Sequence, residues 1–387
     1  MRILIALTYF QPHKSGLTIY ATRLAKAFVA RGHQVTVLTS QYNPSLPLND
    51  QMDGVNVVRV PVWFRLSKGP IMPGMLFRAL GLLKNSDLIN LHLPQFDAAP
   101  LSVASRMMGK PVLVTYHCDL RLPPGPVNAL ANWGSNLVNH LTCRLAHRMV
   151  TNTLDYAEHS SFLRPYLSKL QPVRPPVTLA RVDEAAVQRL REKLQITPDQ
   201  KIIGMVARFA TEKGVEYLVD AMPEVLKKEP AARVLFVGEY QNVFGEQEYA
   251  RRLMPMIEKL GKRWDFLGSI SDEDLAAFYK LCHVTVLPSI NSTESYGIVQ
   301  IEAMRSGVPS VASDLPGIRQ PVKLYGMGRV FEAGNARALA EALTDVLANP
   351  EKYAGDPERV AASNSPDAIA MEYEAIFAKI IHQRGNA

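Results

Sequence analysis

Residues 201–214 read Lys-Ile-Ile-Gly-Met-Val-Ala-Arg-Phe-Ala-Thr-Glu-Lys-Gly, and this stretch decides the class of fold. Its apolar, β-branched start predicts a buried strand at 201–207, and the apolar periodicity that follows predicts a helix at 214–228. A buried strand that enters a helix through a short loop is the first half of a βαβ unit. Such units build parallel sheets that helices cover on both faces.

The same alternation extends along the chain in both directions. In the second half we predict further strands at 232–237, 264–267, 284–287 and 309–312, and helices at 246–261, 272–281 and 296–306. In the first half we predict strands at 3–8, 34–39, 55–60, 87–92, 111–117 and 148–152, and helices at 18–31, 75–84, 98–108 and 127–147. The sequence therefore predicts two consecutive doubly wound α/β domains.

A length of 387 residues also favours two domains. Prolines at 172, 175 and 176 predict a hinge at 174–177, with an inert linker as the alternative. We expect an N-terminal domain at 1–174, a C-terminal domain at 175–365, and a final helix at 366–387 that packs back on the first domain through one apolar face. Because open α/β sheets bind ligands at the carboxyl ends of their strands, we expect the two domains to face each other across a ligand-binding cleft.

Composition excludes several classes of protein. With 47% apolar and 20% charged residues, the chain can build packed cores, so global disorder is excluded. The apolar run at 3–7 is too short for a signal peptide, and the longest uncharged run, 122–143, contains Pro, Gly and Asn, so we expect a cytoplasmic protein. Cys118, Cys143 and Cys282 lack the spacing of disulfides or metal ligands, and we expect no metal.

Charge is distributed unevenly. Residues 1–176 carry 18 Lys and Arg against 7 Asp and Glu, a balance of +11, whereas residues 177–387 carry 25 against 29, a balance of −4. This asymmetry indicates a negatively charged partner for the first half, such as a membrane surface, a phosphorylated acceptor or nucleic acid, with neutral drift of surface charge as the alternative.

The second half contains the strongest chemical pattern. Arg208 ends a strand and Lys213 begins the next helix, and two cations near a helix N-terminus can neutralise a diphosphate. Further on, Glu294 and Glu302 lie on either side of a helix start, and Gly297 lets backbone approach a ligand. The alternative is that Glu294 only interacts with the helix dipole and that Glu302 is a solvated helix residue.

The first half offers two weaker candidates. Lys14, Ser15 and Gly16 lie in a loop that runs into a helix N-terminus, which suits a phosphate, with a plain turn as the alternative. The strand at 111–117 ends in His117, and Asp119 follows, at a carboxyl end where ligands bind. A structural histidine is the alternative there.

Together these motifs resemble glycosyltransferase family 4. The resemblance rests on Arg208-x4-Lys213-Gly214, on the Glu-x7-Glu element from Glu294 to Glu302, and on Gly-Val-Pro-Ser-Val-Ala-Ser at 307–313, and it extends over nearly the whole chain. It implies a GT-B fold of two Rossmann-like domains and retaining transfer from a nucleotide-diphosphate sugar. It also implies that no metal and no cofactor besides this co-substrate is required.

The resemblance also implies roles for single residues. Arg208 and Lys213 would bind the donor diphosphate, Glu302 the ribose hydroxyls, and Glu294 the sugar and phosphate. The remaining donor contacts would come from the backbone at Tyr296, Gly297 and Ile298, from Ser15 and Gly16, and from the strand ends at Gly238 and Phe266, where the base would lie. His117 would face the transferred sugar, with Lys14 and Asp119 on the acceptor side. Ser15 and Ala207 depart from the glycines that the family has at these two positions.

The function expected from the resemblance is transfer of a hexose of the mannose, glucose or N-acetylhexosamine class from a uridine or guanosine diphosphate sugar. A lipid-linked or polyprenyl-linked saccharide of cell-envelope or exopolysaccharide synthesis would suit the basic half as the acceptor. A soluble sugar or sugar phosphate, a nucleotide-sugar epimerase and a non-catalytic binder are the alternatives. An NAD dehydrogenase is disfavoured because the first βα loop lacks the glycine fingerprint, and nucleic acid because no recognition helix or stacking motif is present.

Segment 62–84 combines bulky apolar residues with four cations and no acid. We expect Trp63 and Phe64 to insert into an anionic membrane surface while the cations meet head groups, which would make the protein peripheral on the inner face of the cell membrane. The alternative is a helix packed on the first sheet, with a loop over the cleft. The four cations are Arg65, Lys68, Arg78 and Lys84.

Overall fold

The computed structural model describes residues 1–66, 69–120 and 125–385. Its contacts divide the chain into two compact units, one of Met1–Pro176 with Asn364–Ala387 and the other of Val177–Ser363. The unit boundaries therefore lie within two residues of the boundaries at 174 and 365 that the sequence suggests. Ser67 and Lys68 of the 62–84 segment lie outside the described residues.

The first unit is built on an eight-stranded sheet. Its spatial order is β10-β9-β8-β7-β1-β2-β4-β3, and β3 is its antiparallel strand. A separate antiparallel hairpin pairs β5 with β6. The strands are β1 Arg2–Ala6, β2 Gln34–Gln41, β3 Asn49–Met52, β4 Val55–Pro61, β5 Phe64–Leu66, β6 Gly69–Ile71, β7 Leu88–Leu93, β8 Val112–Tyr116, β9 Arg148–Thr151 and β10 Leu170–Pro172.

Helices cover both faces of this sheet, as its buried strands require. Alternate residues of β1 face opposite cores: Ile3 and Ile5 pack with α1 and the C-terminal helix α14, whereas Leu4 and Ala6 pack with α2, α3 and α4. The apolar face of α14, including Ile369, is fully buried against the first unit. The helices are α1 Gly16–Ala30, α2 Met75–Lys84, α3 Ala98–Met107, α4 Pro126–Leu145, α5 Leu154–His159 and α14 Pro366–Gly385.

The second unit is a six-stranded parallel sheet. Its spatial order is β13-β12-β11-β14-β15-β16, the 3-2-1-4-5-6 order of the doubly wound dinucleotide-binding fold. Its strands are β11 Lys201–Val206, β12 Ala232–Val237, β13 Trp264–Gly268, β14 Val284–Leu287, β15 Ser310–Ser313 and β16 Gly328–Phe331. Its helices are α6 Glu184–Lys193, α7 Val215–Lys228, α8 Gln247–Glu258, α9 Asp272–Leu281, α10 Ile298–Arg305, α11 Gln320–Tyr325, α12 Ala336–Ala348 and α13 Pro357–Ser363.

Both units have the same kind of switch point, where neighbouring strands send their chains in opposite lateral directions. It lies between β1 and β7 in the first unit and between β11 and β14 in the second. Ligands of open α/β sheets bind beside such points, at the carboxyl ends of the strands. Arg208 and Lys213 lie in the connection after β11, and Glu294 lies in the connection after β14. Among the described helices, none combines the length and the hydropathy needed to cross a bilayer.

Candidate active site

The loop after β11 is anchored at Phe209 and leaves Arg208 accessible. The Phe209 side chain is fully buried, and its backbone N–H donates to the Glu239 carbonyl at 2.8 Å. Arg208 lies on the other side of the loop, half exposed, and its guanidinium donates to Glu212 Oε1 at 2.8 Å. The loop therefore presents a guanidinium that one carboxylate holds in place and whose other N–H groups can donate to an anion.

Two close contacts fasten this loop to the loop after β14. Gly214 has φ +65°, and a Cβ at this position would lie 2.0 Å from the Pro288 carbonyl oxygen. The Ile290 N–H also donates to the Glu212 carbonyl at 3.2 Å. Only glycine permits this approach, which explains why the stretch quoted at the outset ends in Gly214.

Lys213 and Glu294 are joined by this arrangement. Lys213 Nζ lies 2.9 Å from Glu294 Oε2, and Glu294 Oε1 accepts the Gly297 N–H at 2.9 Å. Burial raises the pKa of Glu294, but Lys213 and the N–H groups of Gly297 and Tyr296 outweigh it, so that the pKa falls below its ordinary value. Burial lowers the pKa of Lys213, and Glu294 reverses this and raises it. Both groups are therefore charged at neutral pH.

Helix α10 begins directly after this ion pair. Gly297 has φ +83°, and a Cβ there would lie 2.4 Å from Leu287 Cδ2. The Tyr296 side chain is buried in the core, so that only its backbone can contact a ligand. Ile298 is the first residue of the helix, whose first turn contains no acidic residue. The helix N-terminus therefore adds partial positive charge beside Lys213.

Glu302 lies inside α10 and is buried, with 5% of its surface exposed. The Tyr279 hydroxyl donates to its Oε2 at 3.0 Å. The alternative that Glu302 is a solvated helix residue is therefore wrong. A buried carboxylate held by a hydroxyl has lone pairs for further donors, which is the chemistry that a ribose diol requires.

The strand ends at Gly238 and Phe266 form the other side of this edge. Gly238 has φ +130°, and a Cβ there would lie 2.0 Å from the Ala207 carbonyl oxygen, so β12 ends against the start of the Arg208 loop. The Phe266 ring stacks on Tyr240 with centroids 4.3 Å apart. Sequence reasoning missed Tyr240, because nothing local to residue 240 indicates that it meets Phe266.

In the first unit, Ser15 acts as the N-cap of α1. Its hydroxyl oxygen accepts the Thr18 N–H at 3.2 Å, and a Cβ on Gly16 would meet nothing within 4 Å. The plain-turn alternative accounts for this geometry, because the Ser15 oxygen already serves the helix. Lys14 is exposed beside it.

His117 lies directly after β8 and is buried, with 7% of its surface exposed. Its Nε2 lies 2.9 Å from Nδ1 of His92, a residue that the sequence analysis did not select. Burial lowers the pKa of His117 to about 3, so the imidazole is neutral. Asp119 is turned to other partners, since its Oδ1 accepts from the Tyr116 hydroxyl at 2.9 Å and from the Ser160 hydroxyl at 2.7 Å.

The described residues contain no group of three or more His, Cys, Asp or Glu side chains that could hold a metal ion. Cys118, Cys143 and Cys282 form no disulfide with one another. What the geometry offers is a set of fixed charges at the β11/β14 switch point and a neutral imidazole in the other unit.

Comparisons with known proteins identify the family of both halves of the chain. Residues 15–166 match the family described as "Glycosyl transferase 4-like domain", and residues 186–358 match "Glycosyl transferases group 1". An uncharacterized glycosyltransferase of Methanocaldococcus jannaschii is 28% identical over 80% of this chain and 79% of its own length. The phosphatidyl-myo-inositol mannosyltransferase of Mycobacterium leprae is 26% identical over 90% of this chain and 88% of its own.

Among solved structures, Anabaena HepE in complex with UDP and glucose superimposes with a TM-score of 0.76 at 20% identity, over 98% of this chain and 100% of its own. At this identity the likeness shows the fold. With both sheets in doubly wound order and both family matches in place, the chain belongs to the glycosyltransferases of family 4 and has the GT-B fold.

Proposed function

We propose that this glycosyltransferase moves a hexose from a nucleotide-diphosphate sugar to an acceptor hydroxyl, with retention at the anomeric carbon and without a metal ion. The observation that carries the proposal is the Lys213–Glu294 pair at the start of α10, with Arg208 in the neighbouring loop. A diphosphate leaving group needs fixed positive charge, and these groups supply it where a metal ion would otherwise be needed.

The chemistry follows from where charge develops. As the bond between the anomeric carbon and the diphosphate oxygen breaks, that oxygen becomes more negative, and Arg208, Lys213 and the α10 N-terminus stabilise it. The acceptor oxygen forms the new bond on the same face of the sugar, and its proton passes to the departing phosphate oxygen. Because this oxygen serves as the base, no enzyme nucleophile is required.

The donor base is proposed to lie against Phe266, near Gly238. The stacked Phe266–Tyr240 pair offers an apolar wall at the carboxyl ends of β12 and β13. HepE, which shares the fold, was solved with UDP and with UDP-glucose, which favours uridine among the two bases considered. Buried Glu302 is proposed to accept from the ribose hydroxyls.

A transfer assay tests the chemistry. The protein is incubated with uridine and guanosine diphosphate hexoses and a lipid-linked or soluble saccharide acceptor in the presence of EDTA, and NMR gives the anomeric configuration of the product. We expect retained configuration in EDTA. An inverted product, or activity that returns only when a divalent ion is added, would contradict the mechanism. Epimerisation of the donor without acceptor would support the epimerase alternative.

A lipid-linked acceptor fits the first unit. Its +11 balance suits a phosphorylated or membrane-bound substrate, and the M. leprae relative is named for transfer to a phosphatidylinositol. Within segment 62–84, Trp63, Phe64 and Phe77 are exposed, whereas Met75 is buried in the core. One side of the segment therefore packs on the sheet, as the alternative expects, and the other presents aromatic rings to solvent, where they are available to a membrane surface.

Helix α4 strengthens the membrane proposal because its large apolar side chains lie on the exposed face. Its buried face mixes Ala131 and Cys143 with Ser135, Asn139 and Thr142, while Leu130, Trp133, Leu137 and Leu141 form an exposed apolar stripe. A soluble helix normally buries its apolar side. An exposed apolar stripe of this length on a single helix is typical of a binding surface.

The neighbouring helices continue this surface. Helix α3 packs between α2 and α4 and exposes Met107, and α2 exposes Phe77. None of these three helices contains Asp or Glu, whereas they carry Arg78, Lys84, Arg106 and Arg144. Apolar side chains among cations, without carboxylates, suit the anionic surface of a membrane. We therefore propose that the α2–α3–α4 face lies against the cytoplasmic leaflet.

Flotation with vesicles tests this surface. We expect the protein to float with vesicles of phosphatidylglycerol and phosphatidylcholine at low salt and not with phosphatidylcholine alone. The Trp133→Ser variant should bind at least about tenfold more weakly, because it removes a large inserting side chain. Phe244→Ser, at an equally exposed aromatic residue of the second unit, is the matched control. Equal binding by wild type and Trp133→Ser would contradict the proposal that α4 contacts the membrane.

A further inference from the structure

A chain of buried side chains leads from the C-terminal helix to His117. The Tyr20 and Tyr373 hydroxyls lie 2.8 Å apart, and Tyr373 lies 3.0 Å from the Thr115 hydroxyl. Thr115 donates to Asn90 Oδ1 at 2.9 Å, Asn90 Nδ2 lies 3.2 Å from His92 Nε2, and His92 Nδ1 lies 2.9 Å from His117 Nε2. We call this chain of six side chains the relay; every member is at least nine-tenths buried.

The orientation of the Asn90 amide determines which atoms of the relay donate hydrogen bonds and which accept them. The Asn90 carbonyl oxygen accepts the Thr115 proton, so its amide nitrogen faces His92. An amide nitrogen only donates, and therefore His92 Nε2 must accept. A neutral imidazole carries one proton, which in His92 is then on Nδ1 and points to His117.

The same reasoning fixes the next ring. His117 Nε2 accepts the hydrogen bond from the N–H at His92 Nδ1 and is therefore unprotonated. The single proton of the neutral His117 ring is then on Nδ1. Both rings stay neutral because burial lowers the pKa of His117 to about 3 and the pKa of His92 well below its ordinary value. The Tyr20 and His117 rings meet edge to face with centroids 4.8 Å apart, which restrains the imidazole.

We propose that Asn90 and His92, oriented by Thr115 and Tyr373, are positioning residues that hold His117 in the Nδ1-protonated tautomer. His117 then acts as a neutral hydrogen-bond donor through Nδ1 and not as a general base. If the Asn90 side-chain amide were flipped, the hydrogen bonds of the relay would run in the opposite direction. His117 would then be protonated on Nε2, and its Nδ1 would be a hydrogen-bond acceptor. The role of this donor toward the transferred sugar rests on the proposed function, whereas the tautomer does not.

Thr115 offers a clean way to test the relay. Thr115→Val keeps the shape of the side chain but removes the hydroxyl that orients Asn90, while Thr115→Ser keeps the hydroxyl and is the matched control. The readout is the nitrogen chemical shifts of ¹⁵N-histidine-labelled, deuterated protein at neutral pH, without donor or acceptor. His92→Gln and His117→Gln assign the two rings, and thermal unfolding verifies that each variant is folded.

In wild type and Thr115→Ser, we expect the His117 resonances to show a protonated Nδ1 and an unprotonated Nε2. In Thr115→Val we expect a mixture of both tautomers and, in the transfer assay, kcat lowered about tenfold with donor KM unchanged. A wild-type His117 with its proton on Nε2, or a Thr115→Val protein with the wild-type tautomer, would overturn the proposal. Because the spectrum is recorded without substrates, a failure of the proposed transfer reaction cannot be mistaken for a failure of the relay.

Discussion

The two units have the same strand order at their switch points but place opposite kinds of chemistry there. Beside β11 and β14, the second unit holds partly exposed ions, with Lys213 and Glu294 paired at 2.9 Å. On β7, which borders the switch point, and after the neighbouring β8, the first unit buries uncharged groups, with His92 and His117 neutral. Ionised groups stabilise a charge that develops on a leaving group, whereas a buried neutral chain fixes where one proton lies. The comparison suggests that the units divide these two tasks.

The largest effect is expected at Lys213. Lys213→Met removes the ammonium that we propose faces the leaving group, and it leaves Glu294 without its ion-pair partner. We expect kcat/KM for transfer to fall about 100- to 1,000-fold. Lys227→Met, at an exposed lysine of α7 that also pairs with a glutamate, is the control. A Lys213→Met enzyme as active as the Lys227→Met enzyme would break the assignment of charge stabilisation to the second unit.

A second prediction concerns acid. The native first unit keeps His92 and His117 unprotonated below pH 6.5, while the unfolded chain takes up protons there, so their effect is to lower stability as pH falls. Each such histidine contributes a slope of up to about 1.4 kcal/mol per pH unit. Glu294 affects stability only at lower pH. The stabilisation that comes from its lowered pKa is complete above pH 4.5 and is lost as pH falls through the native pKa.

Hydrogen exchange measures this difference unit by unit. Between pH 7 and 5 we expect amides of β8 to lose protection more steeply than amides of β14. Burial lowers the pKa of His283, directly before β14, but it also lowers the pKa of His140 and His147 in the first unit, in addition to the pair. The loss should be shallower in His92→Gln, which removes one of the two groups. Asp97 has the opposite effect on stability in the first unit, because burial raises its pKa to about 6. Comparison of His92→Gln with wild type cancels this contribution, since both proteins contain Asp97. Equal slopes in wild type and His92→Gln would contradict the neutral pair.

The smallest effect is expected at Ser15. Because its hydroxyl caps α1, Ser15→Ala should lower the free energy of unfolding by about 1 kcal/mol, and Ser15→Asn, which retains a capping oxygen, by less. Urea unfolding followed by circular dichroism gives both values. If the two variants were equally stable, the cap would not be the role of this side chain.

The sequence predicted most of the two sheets and less of what lies at their margins. Continuous apolar runs such as 201–206 identify strands that are buried on both faces, and all six parallel strands first predicted for the first unit are present. Strands β3, β10 and β16 were not predicted, because edge strands need little apolar sequence. Helix α4 was predicted, but periodicity cannot show which face is buried, and here the large apolar side chains lie on the exposed face.

The sequence predicted the charged residues of the site but not the buried side chains that contact His117. Arg208, Lys213 and Glu294 lie in the connections between predicted strands and the helices that follow them, so local sequence identifies them. The relay joins positions 20, 90, 115 and 373, which only the fold brings together. One signal was available: Asn90 and His92 lie two residues apart in the otherwise apolar strand 88–93, and therefore on one face of a buried strand.

Calorimetric titration of UDP and GDP in EDTA tests the central claim, that fixed cations of the second unit bind the donor diphosphate, most directly. The account predicts that one of the two binds wild type and Lys227→Met equally and binds Lys213→Met at least about tenfold more weakly. If neither nucleotide bound without a divalent ion, or if Lys213→Met bound as tightly as wild type, the central claim would be contradicted.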